Sequence, residues 1–260
     1  TAYEIPLRLV GSEMCIRDSS YTFPLGEKTT VFVGDNMDGS TLYSTACVYG
    51  GPSNTLDDCG NVNSAFVGAG TAAGAGFDIG NGITAAVGYA GDGSSTNGLL
   101  SEQGDDSYGG QLTYTGDSIG ASITYADVET AGVNTTSWAL NGYWTPAEIG
   151  GIPSISVGYE VDDSETVGVA DASSWFTGLQ WDEVGAGTLG VAMGTSTPTA
   201  ENGVALLMYE AFYSYPINDG MTITPLVFAK ETAAGSDDQT GVCLLYTSDA
   251  ADDSLRVDLG

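Results

Sequence analysis

The sequence predicts an all-β chain whose antiparallel strands follow one another up and down as a transmembrane β-barrel. Three observations predict it. Apolar side chains recur with a period of two along eleven successive segments. The connections between those segments alternate short and long. One face of each segment is apolar, while the other carries Gly, Ser, Thr, Gln and Asn, the reverse of what a water-soluble core requires.

The two ends are set aside first, because processing and library-derived segments carry no fold information. Met14-Cys15-Ile16-Arg17-Asp18-Ser19 can be encoded by ATG TGT ATA AGA GAC AGN, which resembles the mosaic end of transposase-based sequencing libraries. Cys243-Leu244-Leu245-Tyr246-Thr247-Ser248 can be encoded by the reverse complement of the same element. Thr1-Ala2-Tyr3-Glu4-Ile5 and Leu9-Val10-Gly11-Ser12-Glu13 resemble the rest of one adapter. Asp249-Ala250-Ala251-Asp252-Asp253 and Arg256-Val257-Asp258-Leu259-Gly260 resemble the rest of the other. Residues 1–19 and 243–260 therefore read as adapter-derived, leaving residues 20–242 as a β-barrel segment cut at both ends.

The ends hold three of the 5 Lys+Arg and seven of the 34 Asp+Glu, which leaves 2 basic and 27 acidic residues between them. The only cations there are Lys28 and Lys230. A surface so negative repels nucleic acid and anionic headgroups, so neither is expected as a partner. Acidity with few apolar residues would suggest disorder, but 42% hydrophobic and 10% aromatic residues are enough to fold. The 38 glycines follow no collagen-like period. No apolar run is long enough for a membrane helix, which leaves open a barrel whose strands need only about 10 alternating residues.

The strand candidates are 28–37, 64–79, 82–91, 107–116, 118–127, 135–145, 153–161, 172–183, 187–194, 204–215 and 221–231, with a twelfth beginning near Thr240. Gly80-Asn81-Gly82, Gly116-Asp117, Gly185-Ala186 and Asn218-Asp219-Gly220 have tight-hairpin chemistry. The remaining connections, 38–63, 92–106, 128–134, 162–171, 195–203 and 232–239, are longer. Strict alternation of the two kinds gathers all long loops at one end, as in outer-membrane barrels.

One face runs Ile83, Ala85, Val87, Tyr89, then Ile119, Ala121, Ile123, Tyr125, then Ile155, Val157, Tyr159, Val161. The alternate positions are Thr84, Ala86, Gly88, then Gly120, Ser122, Thr124, then Ser154, Ser156, Gly158, Glu160. Trp138-x-Leu140-x-Gly142-x-Trp144 and Trp175-x-Thr177-x-Leu179-x-Trp181 put tryptophans toward both ends of the apolar face. With Tyr125 and Tyr159, these four tryptophans are candidates for the aromatic girdles of a lipid-facing band. Gln111, Thr113, Asn141, Glu160, Gln180 and Glu210 are the candidate pore-lining residues on the opposite face.

Cys47 and Cys59 lie in a polar stretch and read either as a loop disulfide, which suits an oxidising compartment, or as free thiols. A metal site lacks ligands, since the chain has no His, and Asp35-Asn36-Met37-Asp38-Gly39 does not keep calcium-loop spacing. Asp57, Asp58, Asp105, Asp106, Asp162, Asp163, Asp237 and Asp238 fall in connections. They read either as a solvated repulsive surface or as groups that bias permeation or hold divalent cations. Residues 20–242 have no His and no Arg, so a Ser-His-Asp or Cys-His centre cannot be built, and no enzyme or cofactor is expected. Gly68, Gly70, Gly74 and Gly76 do not fit a phosphate-binding loop and suit a closely packed strand.

Met208-Tyr209-Glu210-Ala211-Phe212-Tyr213-Ser214-Tyr215-Pro216-Ile217-Asn218-Asp219-Gly220-Met221-Thr222-Ile223-Thr224-Pro225-Leu226-Val227-Phe228 resembles the penultimate hairpin of cyanobacterial carbohydrate-selective porins. Trp175-Phe176-Thr177-Gly178-Leu179-Gln180-Trp181-Asp182 resembles a strand further upstream in that family. The resemblance implies a barrel of about sixteen strands, of which eleven or twelve are present. It also implies homotrimers, residence in the outer membrane, and an S-layer-homology domain ahead of the barrel. The expected function is passive diffusion of small hydrophilic solutes, carbohydrates and ions. The rival expectation is a surface structural or adhesive β protein whose acidic loops bind partners.

Overall fold

The computed structural model describes residues 19–53, 56–65, 70–91, 104–130, 133–148, 150–233 and 236–248. Most of the expected 92–106 connection, and most of both ends set aside above, lie outside these residues. Among the described residues there are fourteen strands: β1 (Ser19–Pro24), β2 (Thr29–Met37), β3 (Gly70–Gly80), β4 (Ile83–Gly91), β5 (Asp106–Thr115), β6 (Ile119–Thr130), β7 (Val133–Trp144), β8 (Ser154–Ser164), β9 (Ala172–Val184), β10 (Gly187–Thr195), β11 (Thr199–Ala200), β12 (Leu207–Asn218), β13 (Met221–Lys230) and β14 (Gln239–Ser248). All but β11 hydrogen-bond antiparallel in chain order, and β11 pairs with the start of β9. The up-and-down topology is the one the alternation predicts.

Several boundaries differ from expectation, for physical reasons. β1 falls in a stretch read as non-strand, and pairs all six residues with β2 from Ser19↔Asp35 to Pro24↔Thr30. The strand expected from 64 begins at Gly70, and residues 62–64 form a turn. The connection expected at 128–134 is almost all strand, since β6 and β7 stay paired to Thr130↔Val133. Glu129 and Asn134 read as loop because they are polar, yet backbone pairing continues wherever a hairpin rises into water. Conversely, nine residues, 145–153, separate β7 from β8 at the end expected to have only tight turns. The two kinds of connection therefore alternate in position but not strictly in length. The boundary drawn after residue 242 lies inside β14, which pairs with β13 through Ser248↔Met221.

Alternation sorts the side chains cleanly across the middle of the sheet. In β8 the pattern is buried, exposed, buried throughout, with Ile155, Val157, Tyr159 and Val161 outward and Ser154, Ser156, Gly158 and Glu160 inward. Leu140 is 60% exposed, while Glu160 is 0% exposed. Such inverted amphipathicity would be costly in water, where apolar area is worth about 25 cal/mol per Å². It suits a sheet wrapped in hydrocarbon.

Inward of the last strands the pattern changes. Phe176, Ala192, Met208, Phe212 and Leu226, on β9 to β13, are buried in one apolar cluster with Tyr49, Leu56 and Cys59. The expected small and polar interior therefore holds along β5 to β8, with Ala126, Ala139 and the carboxylates of Glu160 and Asp162 added to it, and fails on β9 to β13. The reason is the segment that follows β2, which covers this inner surface.

Candidate pore wall and inward-folded loop

Residues 38–63 were expected among the long loops gathered at one end of the sheet. Instead they fold across its inner face. Four alternate backbone N–H groups of an extended arm donate to side chains on four strands. Ser44 N–H donates to Gln111 Oε1 on β5 at 2.6 Å, and Ala46 N–H to Ser122 Oγ on β6 at 3.0 Å. Val48 N–H donates to Ser156 Oγ on β8 at 3.0 Å, and Gly50 N–H to Gln180 Oε1 on β9 at 2.9 Å. An extended segment turns every second N–H the same way, so side-chain acceptors two residues apart can hold it without a strand partner. The Tyr49 hydroxyl reaches further, donating to Glu210 on β12 at 2.7 Å. Its ring packs on Phe176 and Phe212, with centroids 5.4 and 5.6 Å away.

The returning arm is held at β7 and β8. Asn141 Nδ2–H donates to the Cys59 carbonyl at 2.8 Å. Glu160 accepts from Asn63 N–H at 2.9 Å, Ser64 N–H at 2.8 Å and Ser64 Oγ–H at 2.6 Å. Asp162 accepts from Asn63 Nδ2 at 3.0 Å and from Ser137 Oγ at 2.6 Å. A buried carboxylate needs an opposite charge or several donors. These donors are supplied by the loop.

Of the expected pore-lining residues, Gln111, Asn141, Glu160, Gln180 and Glu210 all contact this loop, and Thr113 Oγ–H donates to Gln111 Oε1 at 3.1 Å. Gln111 Nε2 also donates to Thr45 and Thr124. Composition concealed the loop's inward course, since Ser, Thr, Gly and Asp are equally common in outward loops. The usable signals were Tyr49 and Leu56, two large apolar residues within it, and the inward Phe and Met residues of the later strands.

Close approach requires glycine at two wall positions. A Cβ on Gly158 would overlap the Cys59 carbonyl, and one on Gly88 would overlap the Gly39 carbonyl. Gly158→Ala is expected to lower the stability of the folded protein by about 1–3 kcal/mol, by lifting the returning arm off β8. Urea unfolding of the detergent-solubilised protein checks this, and an unchanged midpoint would contradict the seating.

Cys47 and Cys59 form a disulfide, with Cα atoms 6.4 Å apart, joining the two arms. Eleven intervening residues correspond to roughly 3 kcal/mol of chain-entropy stabilisation. Non-reducing mass spectrometry of the oxidised protein should find the two cysteine peptides linked, and two free thiols would contradict it.

Carboxylates gather on the loop. Asp57 and Asp58 are exposed beside the buried Leu56 and Cys59. Partial burial first, then the charges of Asp57 and Asp38, push the Asp58 carboxyl up to about 6. Burial likewise raises Asp57. Burial first, then the Glu210 hydrogen bond and charge, raise the Tyr49 phenol.

On the opposite face, Trp138, Trp144 and Tyr159 are exposed, and Tyr125, Trp175 and Trp181 share their side of the sheet at intermediate exposure. Tyr125 and Trp138 are cross-strand partners with ring centroids 4.8 Å apart, and Tyr159 lies opposite Trp175. Trp181 Nε1–H donates to the Gly151 carbonyl at 3.2 Å.

No family profile and no curated protein matches the sequence. Solved structures do resemble the fold. An anion-selective porin from Comamonas acidovorans is similar over 89% of this chain and 73% of its own, at 15% identity and a TM-score of 0.60. The outer-membrane expressed OmpT of Vibrio cholerae covers 89% of this chain and 77% of its own, at 12% identity and a TM-score of 0.61. A mutant of the Rh. blastica porin covers 88% and 76%, at 11% identity and a TM-score of 0.53. The chain thus has the fold of outer-membrane β-barrels.

Proposed function

We propose that the chain is the barrel of an outer-membrane porin through which small hydrophilic solutes and ions diffuse passively. One observation carries the reading: an apolar outward face encloses a polar inward face, and residues 38–65 cross that inward face as a constriction. Gln111, Thr113, Asn141, Glu160, Gln180 and Glu210 are the lumen wall and hold the loop that narrows it. Trp138, Trp144, Trp175, Trp181, Tyr125 and Tyr159 are the girdles. Trp138 and Trp144 are separated by roughly 20 Å of strand, close to the ~25 Å apolar band of such barrels. Nothing in this arrangement calls for a covalent step, a cofactor or a metal.

The finer reading is a carbohydrate-selective porin of the cyanobacterial kind, assembled as a trimer, with residues 1–19 and 243–260 derived from adapters. The Tyr-rich hairpin of β12 and β13 supports the first part, and the codon match supports the last. The anion preference in the description of the Comamonas porin does not carry over, because the loop here presents Asp57 and Asp58 and the wall offers no cation. Sequencing the source locus through both junctions tests the ends: native codons continuing into residues 14–19 or 243–248 would exclude adapters. Planar-bilayer recording of the protein read from that locus tests the function. Stepwise conductance that saccharides partly block is expected. A silent bilayer, together with ligand binding by the acidic connections, would favour a surface adhesive protein instead.

A further inference from the structure

A groove of about 620 Å³ lies at the long-connection end of β7 to β9, beside the short strand β11. Its floor follows one cross-strand row, Trp138↔Val161↔Ser173, which β11 extends through Thr199↔Ser173. This is the row that carries outward-facing side chains, so the groove opens on the outside of the sheet, although Asp162, whose carboxylate accepts from Asn63 of the inward loop, also borders it. Glu201 N–H donates to the Asp171 carbonyl at 2.6 Å, and Gly203 N–H to the Ala200 carbonyl at 2.7 Å, which fix the β11 turn that borders the groove. Thr199 Oγ1 on the groove wall is shut off from solvent and makes no hydrogen bond.

The lining determines what the groove can take. Trp138 offers a half-exposed indole, 49% accessible. Asp163, Asp171 and Glu201, all exposed, line the same groove together with the buried Asp162, and no basic side chain is among the lining residues. An anion would meet only repulsion there. Among the described residues no three carboxylates converge closely enough to hold a metal ion. Charges that are spread out beside an aromatic face suit a longer, softer cation. An ammonium group attracts the indole quadrupole and a carboxylate at once, and its methylene chain covers the ring. The size lies within the usual range of small-ligand pockets, about 300–1,000 Å³.

We propose that this groove binds an organic amine, with an ammonium group held between Trp138 and the carboxylates of Asp163 and Glu201. Such an amine can come from a free polyamine or from an amine-bearing lipid headgroup, since the groove opens just beyond the outward aromatic row. The inference does not depend on conduction through the lumen.

Spermidine is the probe, titrated at low ionic strength into the full chain in detergent and followed by calorimetry and tryptophan fluorescence. One saturable event is expected. Asp163→Asn with Glu201→Gln should weaken it by about tenfold or more, and Trp138→Leu should weaken it while leaving the fold intact by circular dichroism. Mg²⁺ at matched ionic strength should not displace the amine. Binding that survives all three substitutions, or that Mg²⁺ abolishes at matched ionic strength, overturns the site in favour of diffuse counterion attraction. Nanodiscs distinguish the sources. Weaker spermidine binding in phosphatidylethanolamine discs than in phosphatidylglycerol-only discs, beyond the difference shown by the double variant, assigns the groove to the lipid amine. Undiminished binding assigns it to the free one.

Discussion

Excising residues 44–64 and joining the ends with a short flexible link is expected to raise single-channel conductance severalfold. The loop leaves β2, crosses β5, β6, β8 and β9 through its own N–H groups, and reaches β12 through Tyr49. It therefore lies across the inner face of the sheet from β5 to β12. The strand ladder does not depend on it, because every pair from β1–β2 to β13–β14 hydrogen-bonds without a loop residue. The cost lies in Phe176, Met208, Phe212 and Leu226, which lose their cover and meet water at about 25 cal/mol per Å². Polar wall residues such as Gln111 and Ser122 simply exchange loop donors for water, at little net cost. Protease resistance and circular dichroism show whether the sheet persists. Unchanged conductance through a persistent sheet would place the conducting path away from the loop.

The strands were legible because a period of two survives any register, and because Trp138, Leu140, Tyr159 and Val157 sit on a face that lipid rather than a core satisfies. Their ends were less legible. Glu129 and Asn134 are polar enough to read as loop, although they face each other in a ladder that rises beyond the apolar band. The candidate wall was legible as a set of residues but not as an arrangement. Glu160 illustrates why. With Lys28 and Lys230, both distant in sequence, the only cations of residues 20–242, a carboxylate on a strand suggests open water. In the fold its charge is met by two backbone amides and a hydroxyl from a segment nearly 100 residues earlier. Nothing local in the sequence records that pairing. Its only trace was the pairing of inward Phe and Met residues in late strands with an aromatic residue, Tyr49, in an early loop.

Ion preference is the second large effect, and its sign follows from the same loop. Between residues 20 and 242 the chain has 27 carboxylates against Lys28 and Lys230. Lys28 lies in the β1–β2 turn and Lys230 closes β13, so neither is placed to offset Asp57 and Asp58 on the loop. A constriction lined by carboxylates and walled by low-dielectric material raises local cation concentration. The pore is therefore expected to prefer cations. The preference should fade between 0.1 M and 1 M salt as the Debye length falls from about 10 to 3 Å. It should also fade as pH drops through about 6, where Asp58 takes up a proton. Asp58 is raised in the fold above its value in an unfolded chain. Between about pH 4 and 6 the folded loop therefore holds a proton that the unfolded chain has lost, and stability falls as pH rises through that window. Selectivity and stability thus move in opposite directions with pH, which separates loss of charge from loss of fold. Reversal potentials across a salt gradient provide the measurement. Asp57→Asn with Asp58→Asn should shift them toward zero and remove the pH step. Glu160→Gln with Glu210→Gln should act more weakly on charge, since both carboxylates face loop donors rather than the open lumen. A potential of the anion-selective sign at low salt would reject the assignment.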